Sequence, residues 1–213
     1  MSLACASSDT LQKATDFLAT SPKGQSNSVK KAHQLIRKSI ECYTRVLLAR
    51  FTLKLPCDLA LRTDIASSDR LSRFLLVIKS RIRRDTERWH LGHHAAVFHI
   101  ASRAYTSPLH PPHFDIMLLI DGHLYPSAMS CNVEDNSLLA QIIESWATVL
   151  KMSPQEITTY VRYQPRKKGL CIHRLETGDD YRLPEACEQA ISLSKKKGRQ
   201  NDQAYRGLIM SKV

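Results

Sequence analysis

The clearest alternation of apolar and polar residues runs through "RVLLARFTLKLP", where Phe51, Leu53 and Leu55 alternate with Arg50, Thr52 and Lys54. A period of two predicts a strand over 44–55 with one buried face and one partly basic face, closed by Pro56. "SSDRLSRFLLVIKSRIRRDTERW" changes the period. Leu71, Leu75, Ile78 and Ile82 recur at helical spacing, Ser68 or Asp69 supplies a cap, and a helix over 69–87 follows. "HAAVFHIASRA" and "HFDIMLLIDGHLY" predict further strands over 95–102 and 114–121. The latter is apolar without interruption from Ile116 to Ile120, which suits a central strand covered on both faces, and "DGH" after it signals a turn.

Leu139, Ile142, Ile143, Trp146 and Leu150 form the inner stripe of a helix over 137–151. "TTYVRYQP" and "LCIHRLE" read as shorter strands, 158–164 and 170–176, joined by the basic turn "RKKG". Pro184 suits the first turn of a last helix, 184–197. Near the start, Leu11, Ala14, Phe17 and Leu18 mark one short helix, and Val29, Ala32, Ile36 and Ile40 mark another beyond "SPKGQSNS". The succession of elements predicts an α+β fold: a central, mostly antiparallel sheet of about five strands with helices packed on it. It also divides the chain into an N-terminal helical extension (1–42), a main domain (43–197) and a basic tail (198–213).

Charge adds a partner to this picture. Lysine and arginine number 31 against 20 aspartates and glutamates, a net charge of +11, and phosphate neutralisation is where such an excess has a use. Arg70, Arg73, Arg81, Arg84 and Arg88 gather along one face of the helix over 69–87, and Lys195, Lys196, Lys197 and Arg199 form a second basic run. Each is either a solvated surface or a track for a nucleic-acid backbone. The six cysteines are scattered, with no C-x-x-C, which argues against a zinc or redox motif. No apolar run approaches the roughly 18 residues of a membrane span, so no membrane partner is expected. "MSLACASSDTLQ" lacks signal-peptide character, which predicts a cytoplasmic protein.

Candidate chemistry centres on "HPPHFDIMLLID". His113 and Asp115 lie two apart at the start of a strand and therefore share a face. Read from the residues alone, they are a histidine entering a buried strand and a hydrogen-bonded aspartate, or two ligands of a hard metal. His110 and His113 flank prolines, so their spacing is not that of a helical zinc pair. Tyr160 and Tyr163 read as strand packing.

The ordered series "LARFTLKLP", a basic helix, "PHFDIMLLIDGHLY", "IIESWATVL" and "KKKGRQ…YRG…SK" resembles the replication initiators of filamentous phages (inoviruses), also found in prophages and satellite elements. The resemblance covers roughly residues 43–212. That family is similar to the HUH endonucleases, in which His–hydrophobic–His on a central strand and an upstream polar residue hold Mg²⁺ or Mn²⁺, and a tyrosine on a late helix attacks a DNA phosphodiester. Carried onto this chain, the ligand positions fall on His113 and Asp115, with aspartate in place of the second histidine, and on His99 or Ser102 upstream. The tyrosine position falls on Ser192, within "Ser192-Leu193-Ser194-Lys195". A serine hydroxyl is shorter and far less acidic than a phenol, so the resemblance implies an initiator-like DNA-binding protein without nicking activity. Its expected partners are single-stranded or hairpin DNA rather than plain duplex, and alternatively a host or phage protein. An active metal-dependent nuclease starting rolling-circle replication is the other alternative.

Overall fold

The structure, a computed structural model, describes residues 27–57, 65–89, 96–104, 111–125, 137–163, 170–175, 178–179, 183–195 and 209–211. Within these the fold is α+β, as expected. The helices are α1 (Asn27–Cys42), α2 (Ile65–Arg88), α3 (Leu138–Leu150), the short α4 (Pro154–Ile157) and α5 (Leu183–Lys195). The strands are β1 (Arg45–Lys54), β2 (Phe98–Ala104), β3 (His113–Asp121), β4 (Val161–Tyr163), β5 (Leu170–Leu175), β6 (Gly178–Asp179) and β7 (Ile209–Met210). They join in one sheet of order β6-β5-β1-β3-β2-β7, with β4 also paired to β1. Every pairing is antiparallel.

β1 and β2 both run antiparallel to β3, which lies between them. The β1–α2–β2 crossover is thus a split βαβ unit, and β3–α3 returns the chain to the far side of β1. β3 is buried along nearly its whole length because both faces are covered, which is why its sequence does not alternate. On one face, Leu71, Phe74, Leu75, Ile78 and Ile82 of α2 and Ile142, Ile143 and Trp146 of α3 pack against Phe51, Leu53, Phe114, Ile116 and Leu118. On the other, Leu35 and Ile36 of α1 and Ala186, Ala190 and Leu193 of α5 pack against Val46, Leu48, Ile100, Met117 and Leu119. Burying each leucine or isoleucine of these cores contributes about 1.5–3 kcal/mol.

Several segments depart from the sequence expectation: α2 begins at Ile65, before the expected cap at Ser68 or Asp69, and Ile209–Met210 of the expected tail pair with β2 at the sheet edge. The helix over 27–42, read as part of an extension, is one of the two that cover the second face of the sheet. The strand expected over 158–164 is confined to Val161–Tyr163, because Ser153 and Glu156 form a reciprocal capping box that starts α4, and a 3₁₀ turn over Thr158–Tyr160 follows. The helix over 11–18, the "RKKG" turn and most of the basic tail lie outside the described residues. Among the described residues no helix is long and apolar enough to cross a membrane.

The turn after β3 forms where "DGH" signals one. Gly122 N–H donates to the Arg45 carbonyl at 2.8 Å, and Asp121 Oδ1 accepts from the His123 N–H at 2.8 Å. A methyl group on Gly122 would meet Arg45 Cγ at 2.7 Å and the Arg45 carbonyl oxygen at 3.2 Å. Gly122→Ala is therefore expected to cost about 1–3 kcal/mol by overpacking. Urea unfolding checks this, and an unchanged midpoint would mean that the start of β1 yields without penalty.

Candidate nucleic-acid interface

Alternation decides which side chains meet on the face covered by α1 and α5. On β1, Val46 and Leu48 join the apolar core and are followed on that face by Arg50, Thr52 and Lys54. On β3, read backwards, Leu119 and Met117 give way to Asp115 and His113. On β2, Phe98 and Ile100 give way to Ser102. Register aligns these changes, for Arg50 stands opposite Met117, Thr52 opposite Asp115 and Lys54 opposite His113. Ser102 stands opposite Asp115 on its other side, and Arg162 of β4 stands opposite Thr52. The sheet face is thus apolar at one end and polar at the other, with Arg162, Thr52, Asp115 and Ser102 in one row across four strands.

Asp115 is only 1% exposed. Its Oδ1 accepts a 2.6 Å hydrogen bond from Thr52 Oγ1. Arg50 lies diagonally across the strand pair, within reach for a long side chain. Burial of its guanidinium draws the Arg50 pKa down and the Asp115 carboxylate pushes it back up; the group stays protonated. Arg50 Nη1 donates to Ser192 Oγ at 2.7 Å, and Ser192 Oγ in turn donates to the Gln189 carbonyl at 2.7 Å. The Ser192 hydroxyl thus accepts from an arginine and spends its proton on its own helix, which is not the arrangement of an activated nucleophile. Ser102 is buried, and its Oγ has no hydrogen-bond partner among the described residues.

The structure brings His113, Asp115 and the helix bearing Ser192 to one face, and it separates the other candidates from them. His99 alternates with Ile100 and stands opposite Leu118, so it belongs to the face of α2 and α3. There its Nδ1 lies 2.7 Å from Ser211 Oγ, and it does not join Asp115. Arg73, Arg84 and Arg88 are exposed on α2, across the sheet from Asp115. Arg81 is paired with Glu144 of α3 and ties those two helices together. Tyr160 and Tyr163 pack against the α2–α3 core. The backbone of Lys195 ends α5, while Lys196, Lys197 and Arg199 lie outside the described residues.

Sequence reasoning did not single out Arg50, Thr52 or Arg162 as site residues. The signal for Arg50 and Thr52 was the polar phase of β1; Arg162 is found only through register. Among the described residues no group of three histidines, cysteines or acidic residues is placed to hold a metal ion. Among the described residues, Asp115 has a guanidinium diagonal to it, a neutral hydroxyl on either side and one imidazole, His113, two residues along the same face, which is not the carboxylate-rich donor set of a hard divalent cation. The residues present therefore do not fit the Mg²⁺ or Mn²⁺ that the resemblance implies.

No curated protein and no solved structure matches the chain. A family model does, that of the YagK/YfjJ C-terminal domain, over residues 11–208. The match spans all five described helices and takes in most of the segment read as an N-terminal extension and most of the basic tail, and by it the chain belongs to the YagK/YfjJ C-terminal domain family.

Proposed function

We propose that this chain is a replication-initiator-like protein of a prophage, satellite or other mobile element, which binds single-stranded or hairpin DNA in the cytoplasm without nicking it. The observation that carries the reading is the polar end of the sheet face, where Arg50, Lys54 and Arg162 share a face with one buried carboxylate beside the helix that bears Ser192. The charge of +11 supports a polyanionic partner. The hydrogen bonds of Ser192 support binding without cleavage, since its hydroxyl donates to a backbone carbonyl and lacks the reach of a phenol. The exposed face of α2 favours a second reading. Leu76 and Trp89 are 70% and 62% exposed beside Arg73, Arg84 and Arg88, a mixture suited to an acidic protein surface.

Gel shifts on single-stranded, hairpin and duplex DNA, with and without Mn²⁺, test the proposal. Single-stranded and hairpin DNA should bind more tightly than duplex, and affinity should fall with salt by about 0.7 in the log–log slope per phosphate contact on single strands. Reversing the charges of Lys195, Lys196 and Lys197 should weaken binding to all sequences alike and lower the slope by roughly 2. No DNA bound at low salt would favour the protein-binding reading. A denaturation-resistant adduct with labelled DNA would restore the nuclease, and its loss with Ser192→Ala or a Tyr→Phe change at Tyr160, Tyr163 or Tyr205 would name the nucleophile.

A further inference from the structure

We infer that Arg50 is the resident cation of this site: its guanidinium, diagonal to Asp115 on the sheet and bonded to Ser192 on α5, stands where the resemblance implies a divalent metal, so phosphodiester binding on this face needs no metal. The second half of this inference rests on the DNA-binding reading above; the first half does not.

Asp115 is a buried carboxylate, and such a group needs one counter-charge and partners for its lone pairs. Thr52 supplies a hydrogen bond, and Arg50 places a positive charge diagonally across the strand pair, where each charge favours the other. An arginine does not shed its proton under these conditions, so a divalent ion at Asp115 would sit close to a fixed positive charge, with the neutral hydroxyls of Thr52 and Ser102 on either side and a second cation, Arg162, further along the same row. The cationic role is therefore already taken.

What the face leaves unsatisfied is donor capacity. Arg50 Nε is buried with no hydrogen-bond partner among the described residues, and so is Ser102 Oγ on a residue only 7% exposed. Buried donors of this kind are satisfied by a ligand that accepts hydrogen bonds. Arg162 and Lys54 are exposed on the same face and add positive charge. Anionic oxygens in series, as in the phosphodiesters of a single strand, match donors spread over several strands better than a single small anion does.

The experiment uses the full chain and has two arms. In the first, Mn²⁺ alone is titrated against the protein and followed by its electron paramagnetic resonance, and thermal midpoints are compared for Arg50→Met and for Arg50→Met/Asp115→Asn. The wild type should show no saturable Mn²⁺ binding at millimolar concentration. Arg50→Met should lower the midpoint, and the double variant should recover part of the loss, because it removes the stranded carboxylate charge. Saturable Mn²⁺ binding, or a double variant no more stable than the single one, overturns the assignment of Arg50 as the counter-ion. In the second arm, affinity for a single-stranded oligonucleotide is measured in EDTA and in Mn²⁺. The two should agree within about twofold, and the folded double variant should bind roughly tenfold more weakly in both, the effect of losing one charge-assisted contact. Arg50→Lys should fall between. Affinity that depends on Mn²⁺, or a double variant that binds like the wild type, overturns metal-free binding through Arg50. A wild type that binds no DNA at low salt sinks the DNA reading and the second half with it, while the first arm still decides the role of Arg50.

Discussion

Replacing Trp146 with alanine is expected to destabilise the protein by about 3–5 kcal/mol, the range for truncating a large aromatic in a packed core. The indole is fully buried and stands at the centre of an aromatic cluster. Its ring meets Phe74 edge-on at 5.8 Å between centroids and Phe114 edge-on at 6.3 Å, and Phe74 in turn meets Phe51 at 6.0 Å. One residue of α3 thereby joins α2, β1 and β3. Its Nε1–H also donates to the Lys54 carbonyl at 3.0 Å, which anchors the end of β1 that carries the polar face. Trp146→Phe keeps most of the volume and removes that donor, so it should cost about 1–3 kcal/mol, the desolvation penalty of a stranded acceptor. Urea unfolding of both variants measures the two contributions. A loss under about 1 kcal/mol for Trp146→Ala would mean that the core closes over the gap and that the cluster does not organise it.

This cluster shows why much of the fold was legible in the sequence. Phe51, Phe114 and Trp146 fall on the buried phase of elements whose period is local: two for β1, a continuous apolar run for β3, and helical spacing for α3. The helix over 69–87 was found from Leu71, Leu75, Ile78 and Ile82, all of which are buried. The site was legible only in part, because its residues meet through register. That His113 and Asp115 share a face follows from their spacing; that Arg162 and Ser102 extend the Asp115 row on either side depends on pairings made across long stretches of chain. His99 illustrates the cost. It lies three residues before Ser102, so the two cannot share a face of β2, but only the pairing with β3 reveals which of them faces Asp115. Helical spacing puts the arginines of α2 along one side of the helix, yet nothing local tells that Arg73, Arg84 and Arg88 lie across the sheet from Asp115 or that Arg81 pairs with Glu144.

His99 itself carries the second large effect, which acid should reveal. The residue is 6% exposed, and burial, with a smaller contribution from the nearby Lys79 charge, lowers its pKa from 6.5 to about 4. Its partner Ser211 follows β7, the edge strand paired to β2. Ser211 Oγ accepts from the His99 N–H at 3.0 Å, and at 2.7 Å from Nδ1 it can donate its own proton only to an unprotonated nitrogen. The arrangement therefore belongs to neutral His99. Because the folded pKa lies below the unfolded one, the unfolded chain takes up the proton first. Stability is thus full above pH 6.5, declines as pH falls below it and reaches its full loss near pH 4, about 3 kcal/mol for a shift of this size. Carboxylates also titrate over part of this range, so the test is a difference. The pH dependence of urea unfolding is compared with that of His99→Gln, which cannot gain a charge. The wild type should lose roughly 3 kcal/mol more than the variant between neutral pH and pH 4. Amide exchange of Ser211, whose N–H donates to the His99 carbonyl at 3.1 Å, should quicken over the same interval as β7 leaves the sheet edge. Parallel pH profiles for the two proteins would show that His99 already accepts a proton in the folded state and that the edge strand is held by its backbone bonds alone.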